Sequence, residues 1–327
     1  MAQIRFNSDA LVLSADYSET MNDMVLPWIA ARCREVTLAG YQDRPLSARV
    51  YTAEGARGAV MIAHGFTESA LKFSELIHSL LRNGFSVVAY DQRGHGASWR
   101  DPRITDLSLT HVDRFDEYVR DAEIVAEQLL VPLGGARIAL SHSMGGAVMA
   151  RLLQKRGDLF DRAVFSSPMI RPATGGLPLW LVKALCRAET ALGRGTARAL
   201  ISKPFSGPED FQTAAANGRE RFDWYDAIRV ATPIYQNNGP SYGWTLAAMT
   251  VGDRILAPGE PEKISCPMRV YTASEDTVVL APPQEELVAR APQASREVVA
   301  GAKHEIYRSP DEVLFPWWRG VLDWIGA

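Results

Sequence analysis

Ser143 lies in RIALSHSMGGAVMARLLQ, where a short apolar run ends at Ser141 and a helix-forming run begins at once with Gly145, Gly146 and Ala147. This is the layout of a nucleophile elbow, in which a strained strand-to-helix turn lifts a serine hydroxyl above the end of a sheet. Small residues on both sides let strand and helix approach closely. The same turn aims the next backbone N–H, that of Met144, at a developing oxyanion, and the helix N-terminus favours negative charge there. The pattern departs from G-x-S-x-G at its first position, where Ser141 replaces glycine. Serine is still small, so the turn is expected to survive.

A serine nucleophile needs a base and an acid, and in sheets carrying such an elbow these follow the serine in the order acid, then histidine. Six histidines occur, His64, His78, His95, His111, His142 and His304, and only His304 comes after Ser143. It sits in VVAGAKHEIYRSP, just past the last expected strand, where a loop returns over the sheet. The acid should follow the preceding strand, in ASEDTVV, which offers Glu275 and Asp276. Asp276 is favoured because it lies one step further into the loop, with Glu275 as the alternative. An acid here holds the imidazole tautomer and stabilises the imidazolium formed during attack.

The second oxyanion donor is expected from the loop after an early strand. In AVMIAHGFTES, His64 and Gly65 close the strand and Phe66 offers its backbone N–H. His64 precedes the serine and is read as a brace for this loop. In YDQRGHGAS (90–98) two glycines around His95 permit a tight turn, with Asp91 and Arg93 placed to pair. Neither GxGxxG nor GK[ST] is present, so this turn is read as structural and not as a phosphate cradle.

These groups must be carried by a sheet. Short apolar runs alternate with helix-period segments, the pattern of a mostly parallel sheet covered by helices. The expected buried strands are 59–63, 86–90, 137–141, 163–167, 268–272 and 296–299, preceded by antiparallel edge strands at 34–39 and 46–52. From Val112 to Leu129, Phe115, Val119, Ala122, Val125, Ala126 and Leu129 recur at three- and four-residue steps, predicting a helix with Thr110 as N-cap. A last helix over 311–325 turns Val313, Leu314, Trp317, Trp318, Val321 and Trp324 toward packing partners. Between 168 and 264, helical pieces broken by Gly and Pro interrupt the alternation and read as a lid. The expected division is therefore core 1–167, helical cap 168–264 and core 265–327. Within the cap, GLPLWLVKALCRAETAL (176–192) is a strongly apolar helical stretch. It suits packing onto the core, an acyl-chain tunnel or a membrane surface.

The chain has 327 residues, 47% of them hydrophobic, and a formal net charge of −3, so nothing favours nucleic acid as a partner. Cys33, Cys186 and Cys266 are far apart and form no CxxC pair, which reads as reduced thiols and not as a disulfide framework or a zinc site. The first twenty residues lack the charged-then-apolar pattern of a signal peptide, and no apolar run is long enough to span a bilayer. A cytoplasmic location is expected, with contact at the inner membrane face a possibility left open by the apolar cap stretch.

Taken together, SHSMGG, HGF, DQRGHGAS, the Glu275–Asp276 pair before Val278 and Val279, and GAKHEI resemble the monoacylglycerol lipase and lysophospholipase branch of the α/β-hydrolases. The cap segment NGRERFDWYDAIRVATPIYQNNGPSYGWTLAA is similar to the corresponding part of bacterial lysophospholipases, most distinctively at GPSYGW. The resemblance implies an α/β-hydrolase fold, with an eight-stranded sheet, helices on both faces and a helical cap after the sixth strand. It implies Ser143, Asp276 and His304 as the triad and the amides of Phe66 and Met144 as the oxyanion hole. It also implies cleavage of one acyl ester, of a lysophospholipid or monoacylglycerol, with no metal or organic cofactor. The same scaffold serves aminopeptidases, lactonases and small-ester esterases, and more remotely a ligand-binding receptor.

Overall fold

The computed structural model describes residues 5–200 and 202–326; the first four residues of the leader reading, position 201 of the expected cap and residue 327 lie outside them. Eight strands form one sheet: β1 (Cys33–Ala39), β2 (Pro45–Tyr51), β3 (Gly58–Ala63), β4 (Phe85–Tyr90), β5 (Ala136–His142), β6 (Arg162–Ser166), β7 (Met268–Ala273) and β8 (Ala294–Val299). Their order is β1-β2-β4-β3-β5-β6-β7-β8. The β1–β2 and β2–β4 pairs are antiparallel and every other pair is parallel. Each expected strand is present to within two residues at either end.

Parallel strands are read as continuous apolar runs because both faces are covered, and β3 shows the consequence. Ala59, Met61 and Ala63 enter one core, while Val60 and Ile62 enter the core on the opposite face. Helices α1 (Ser74–Arg82) and α8 (Asp311–Gly326) cover the second face. On the first lie α2 (Asp116–Val125) and α3 (Met144–Arg156). Trp317 and Trp318 of α8 are buried, with Trp318 Nε1 donating to Ser79 Oγ at 2.6 Å. Their role is packing, as expected.

Between β6 and β7 lie α4 (Leu179–Ala191), α5 (Arg219–Ala231) and α6 (Tyr242–Ile255), followed after β7 by α7 (Ala281–Arg290). Ser241 caps α6, its hydroxyl accepting from the Trp244 N–H at 3.0 Å. Trp244, Ala248, Val251 and Ile255 then join the core that holds α3. The GPSYGW segment is thus the entry of a helix clamped to the core.

Two local expectations are corrected. Thr110 does not cap α2. With Leu109 it forms a two-residue parallel ladder, Leu109 opposite Gly239 and Thr110 opposite Pro240, and the helix starts six residues later, at Asp116. The apolar period begins at Val112 because the preceding loop is buried as well. Asp91 and Arg93 do not pair either. The Asp91 carboxylate accepts from the amides of Ala70 and Ala97, while Arg93 reaches Asp121 and Glu117 on α2. Proximity in sequence lost to the tight turn, which points the two side chains into different layers.

Candidate active site

The turn after β5 puts Ser143 at φ 50° and ψ −117°, a region that side chains other than glycine rarely occupy. Such strain persists only where surrounding structure over-determines it. Here the Ser143 N–H donates to the Ser166 carbonyl at 3.1 Å, and its carbonyl accepts from Gly146 and Met169. Gly145 is required: a Cβ there would lie 2.1 Å from the Ala63 carbonyl oxygen, where α3 leans on the end of β3. Ser141, in place of the usual first glycine, is buried and its hydroxyl donates to Val164 O at 3.3 Å. The turn closes without that glycine.

The loops after β7 and β8 converge on this serine. His304 Nε2 lies 2.9 Å from Ser143 Oγ, and His304 Nδ1 lies 2.7 Å from Asp276 Oδ2. The other Asp276 oxygen accepts from the amides of Val278 and Val279 at 2.8 and 3.0 Å. Burial works to raise the Asp276 carboxyl, but the His304 contact and these amides outweigh it and hold the carboxyl below its ordinary value. Glu275 is exposed, and its backbone N–H is committed to the Ala302 carbonyl.

The Phe66 loop is pinned on both sides of one amide. Gly65 N–H donates to Glu68, and Thr67 N–H donates to His95 Nε2 at 3.3 Å. The amides of Phe66 and Met144 are committed to no protein acceptor among the described residues. His64 braces this loop: its Nε2 accepts the Gln92 N–H at 2.9 Å, which leaves Nδ1–H to donate to Gly65 O at 2.8 Å. Burial lowers the pKa of both His64 and His95, so the two rings stay neutral. From α6, Trp244 packs on Phe66 with ring centroids 3.9 Å apart and planes inclined by 32°.

Behind His304 stands a buried ionic network absent from the sequence reading. Lys72 Nζ bridges Glu68 at 2.9 Å and Glu305 at 2.6 Å; Arg308 also pairs with Glu305, and the Tyr307 hydroxyl donates to Glu68. The available signal was Glu68 and Lys72 at a helical four-residue spacing, but their distant partner Glu305 has no sequence cue. Burial tends to raise both carboxyls, and the nearby cations overcome it and depress them. His142 lies beside His304 with its ring tilted against it, and burial lowers its pKa to about 4.

Depressed native carboxyls stabilise the fold fully above their unfolded value, and that stability drains as pH falls below it. Lys72→Met removes the shared cation and leaves two buried carboxylates under-compensated. We expect it to cost about 3 kcal/mol at pH 7. Without the lysine the carboxyls protonate more readily, so the gap to wild type should narrow between pH 7 and pH 4. Urea unfolding at both values checks this. A gap independent of pH would assign the loss to packing of the lysine stem.

One grouping has metal-ligand residue types: Asp101, His111 and Asp113. Arg103 already supplies its cation, reaching both carboxylates and His111 Nε2.

A mostly parallel sheet with a strained serine elbow between β5 and α3, and acid and histidine loops after its last two strands, defines an α/β-hydrolase. The family model described as "Serine aminopeptidase, S33" matches residues 54–311, and the chain belongs to this hydrolase family. Lysophospholipase L2 of Escherichia coli (strain K12) is 27% identical over 291 residues, covering 86% of this chain and 82% of its own. A monoacylglycerol lipase of Mycolicibacterium smegmatis is 22% identical over 265 residues, covering 79% and 85%. Among solved structures, the Paleococcus ferrophilus monoacylglycerol lipase superposes with a TM-score of 0.67 at 23% identity, over 86% of this chain and 98% of that one.

Proposed function

We propose that the protein cleaves a carboxylic ester of a lipid through an acyl-enzyme, with a lysophospholipid or monoacylglycerol as substrate. The observation that carries this reading is the continuous hydrogen-bonded line Ser143–His304–Asp276 on a strained elbow. Ser143 Oγ attacks the ester carbonyl as His304 Nε2 takes its proton, and Asp276 holds the ring and offsets the imidazolium charge. The amides of Phe66 and Met144 stabilise the oxyanion; losing one such donor typically costs about 10²–10³ in rate. The imidazolium then protonates the leaving alcohol. His304 next activates the water that releases the fatty acid. The lipid part of the proposal rests on the names of the relatives.

Residues 168–264 act in this reading as the cap over the serine, with Trp244 holding α6 against the Phe66 loop. Its helix α4 presents an apolar outer side: Trp180 is 68% exposed, flanked by exposed Leu177, Leu181 and Leu185. No helix among the described residues is long and apolar enough to cross a membrane. This helix instead rests on a bilayer surface, where its lipid substrate resides, with tryptophan in the interface. Sedimentation with phosphatidylglycerol vesicles should carry the wild type down and leave Trp180→Asp in solution. Equal sedimentation of the two would remove α4 from that role.

The direct test of the function is fatty-acid release from a lysophospholipid, a monoacylglycerol and a short aryl ester, with Ser143→Ala as the blank. Serine-dependent release from either lipid supports the proposal. Turnover of the aryl ester alone would keep the triad and overturn the lipid assignment.

A further inference from the structure

A cavity of about 320 Å³ lies between α5, the cap segment 209–216 and the two core loops that carry Phe66 and His304. It is bordered by Thr67, next to the Phe66 amide, and by Glu305, next to His304. Its size is at the lower end of the roughly 300–1,000 Å³ typical of small-molecule sites.

The charge on its walls is unbalanced. Each cation is already committed: Lys72 to Glu68 and Glu305, Arg308 to Glu305 and two backbone carbonyls, Arg229 to Glu209 and the carbonyls of Tyr235 and Asn237. Negative charge is left over. Asp226 is only 8% exposed, and one of its oxygens accepts the Glu209 N–H at 3.2 Å. Its other oxygen has no protein partner among the described residues, although a nearly buried carboxylate ordinarily has its charge matched. Asp210, which accepts the Gln212 N–H at 2.9 Å, adds a second carboxylate with no cation paired to it among the described residues, at the exposed edge.

The geometry points to this cavity as the seat of a head group that ends in an ammonium, with Asp226 receiving the ammonium of a lysophospholipid such as one carrying phosphoethanolamine. The inference rests on the lipid-ester reading above and narrows it. A monoacylglycerol brings no charge to match Asp226, and an anionic head group meets it unfavourably. The α-amine of a peptide shares the ammonium chemistry and is the competing source.

The test compares kcat/KM for lysophosphatidylethanolamine and lysophosphatidylglycerol of one acyl chain, in wild type, Asp226→Asn and Asp226→Glu. Asparagine keeps the acceptor for the Glu209 amide and removes only the charge. Wild type should prefer the ethanolamine lipid, and Asp226→Asn should lower that preference roughly 10- to 100-fold. Asp226→Glu should restore part of it. A purely structural role would lower both substrates alike and leave the ratio fixed, which would overturn the inference. So would a wild type indifferent to the ammonium. Cleavage of a free-amine peptide anilide that depends on Asp226, with the lipids untouched, would overturn the head-group assignment. If both lipids are hydrolysed but Asp226 leaves their ratio unchanged, the ammonium site alone fails. If neither is hydrolysed while the aryl ester still is, the lipid reading fails with it.

Discussion

Ser143→Ala is expected to lower kcat for any ester the enzyme turns over by about 10⁴–10⁶-fold, with little change in thermal stability. The size of the loss follows from the unit the serine belongs to. In the proposed mechanism there is no acyl-enzyme without Oγ, so the 2.9 Å contact with His304 has nothing to activate. On the proposed mechanism, the residual rate comes from the Phe66 and Met144 amides acting on a carbonyl attacked by water. Stability should hold because the strain at φ 50° belongs to the backbone, which alanine shares, and because the Ser166, Gly146 and Met169 hydrogen bonds involve only backbone atoms. Steady-state kinetics beside a melting curve checks both parts. Activity above a few per cent of wild type would move the nucleophile elsewhere, and a collapsed melting temperature would void the comparison.

Asp276→Asn should cost about 10⁴-fold in kcat, while Glu275→Gln stays within about twofold of wild type. The local hydrogen bonds explain why so small a change has so large an effect. The Val278 and Val279 amides both donate to Asp276 Oδ1, so an asparagine keeps its carbonyl oxygen on that side. Its NH₂ is then turned toward His304 Nδ1 at the 2.7 Å contact. A donor facing Nδ1 forces the proton onto Nε2, and an imidazole of that tautomer has no lone pair for the serine proton. Glu275 is exposed with its backbone tied to Ala302, so its charge is remote from the ring. Near-normal turnover in Asp276→Asn, or a large loss in Glu275→Gln, would reverse the assignment between the two acids.

Both predictions concern residues that local sequence could single out, and the reason is instructive. A strand, a tight turn and a helix N-terminus are written in consecutive residues, so RIALSHSMGG displays Ser143 without reference to the rest of the chain. Chain order then leaves one histidine and a two-residue choice of acid. The strands were equally legible, because a sheet covered on both faces turns each strand into a short apolar run. By contrast, Thr110 as a helix cap and Asp91 with Arg93 as a pair were local inferences about side chains whose partners lie far away. They failed for that reason: Thr110 pairs with Pro240, and Arg93 joins Asp121.

The sequence by itself determined the alternation of strands and helices, the elbow and the order of the groups around it, since each depends on residues within a few positions of one another. Only the tertiary structure decided which acid meets His304 and what stands behind it. Glu68, Lys72 and Glu305 become one network across 233 positions between lysine and its second carboxylate, and Asp226 becomes an unmatched charge only when α5 closes over the loops beside Ser143. Charge balance and burial are properties of the space between distant segments. They exist only after the chain has folded, and no local run of residues encodes them.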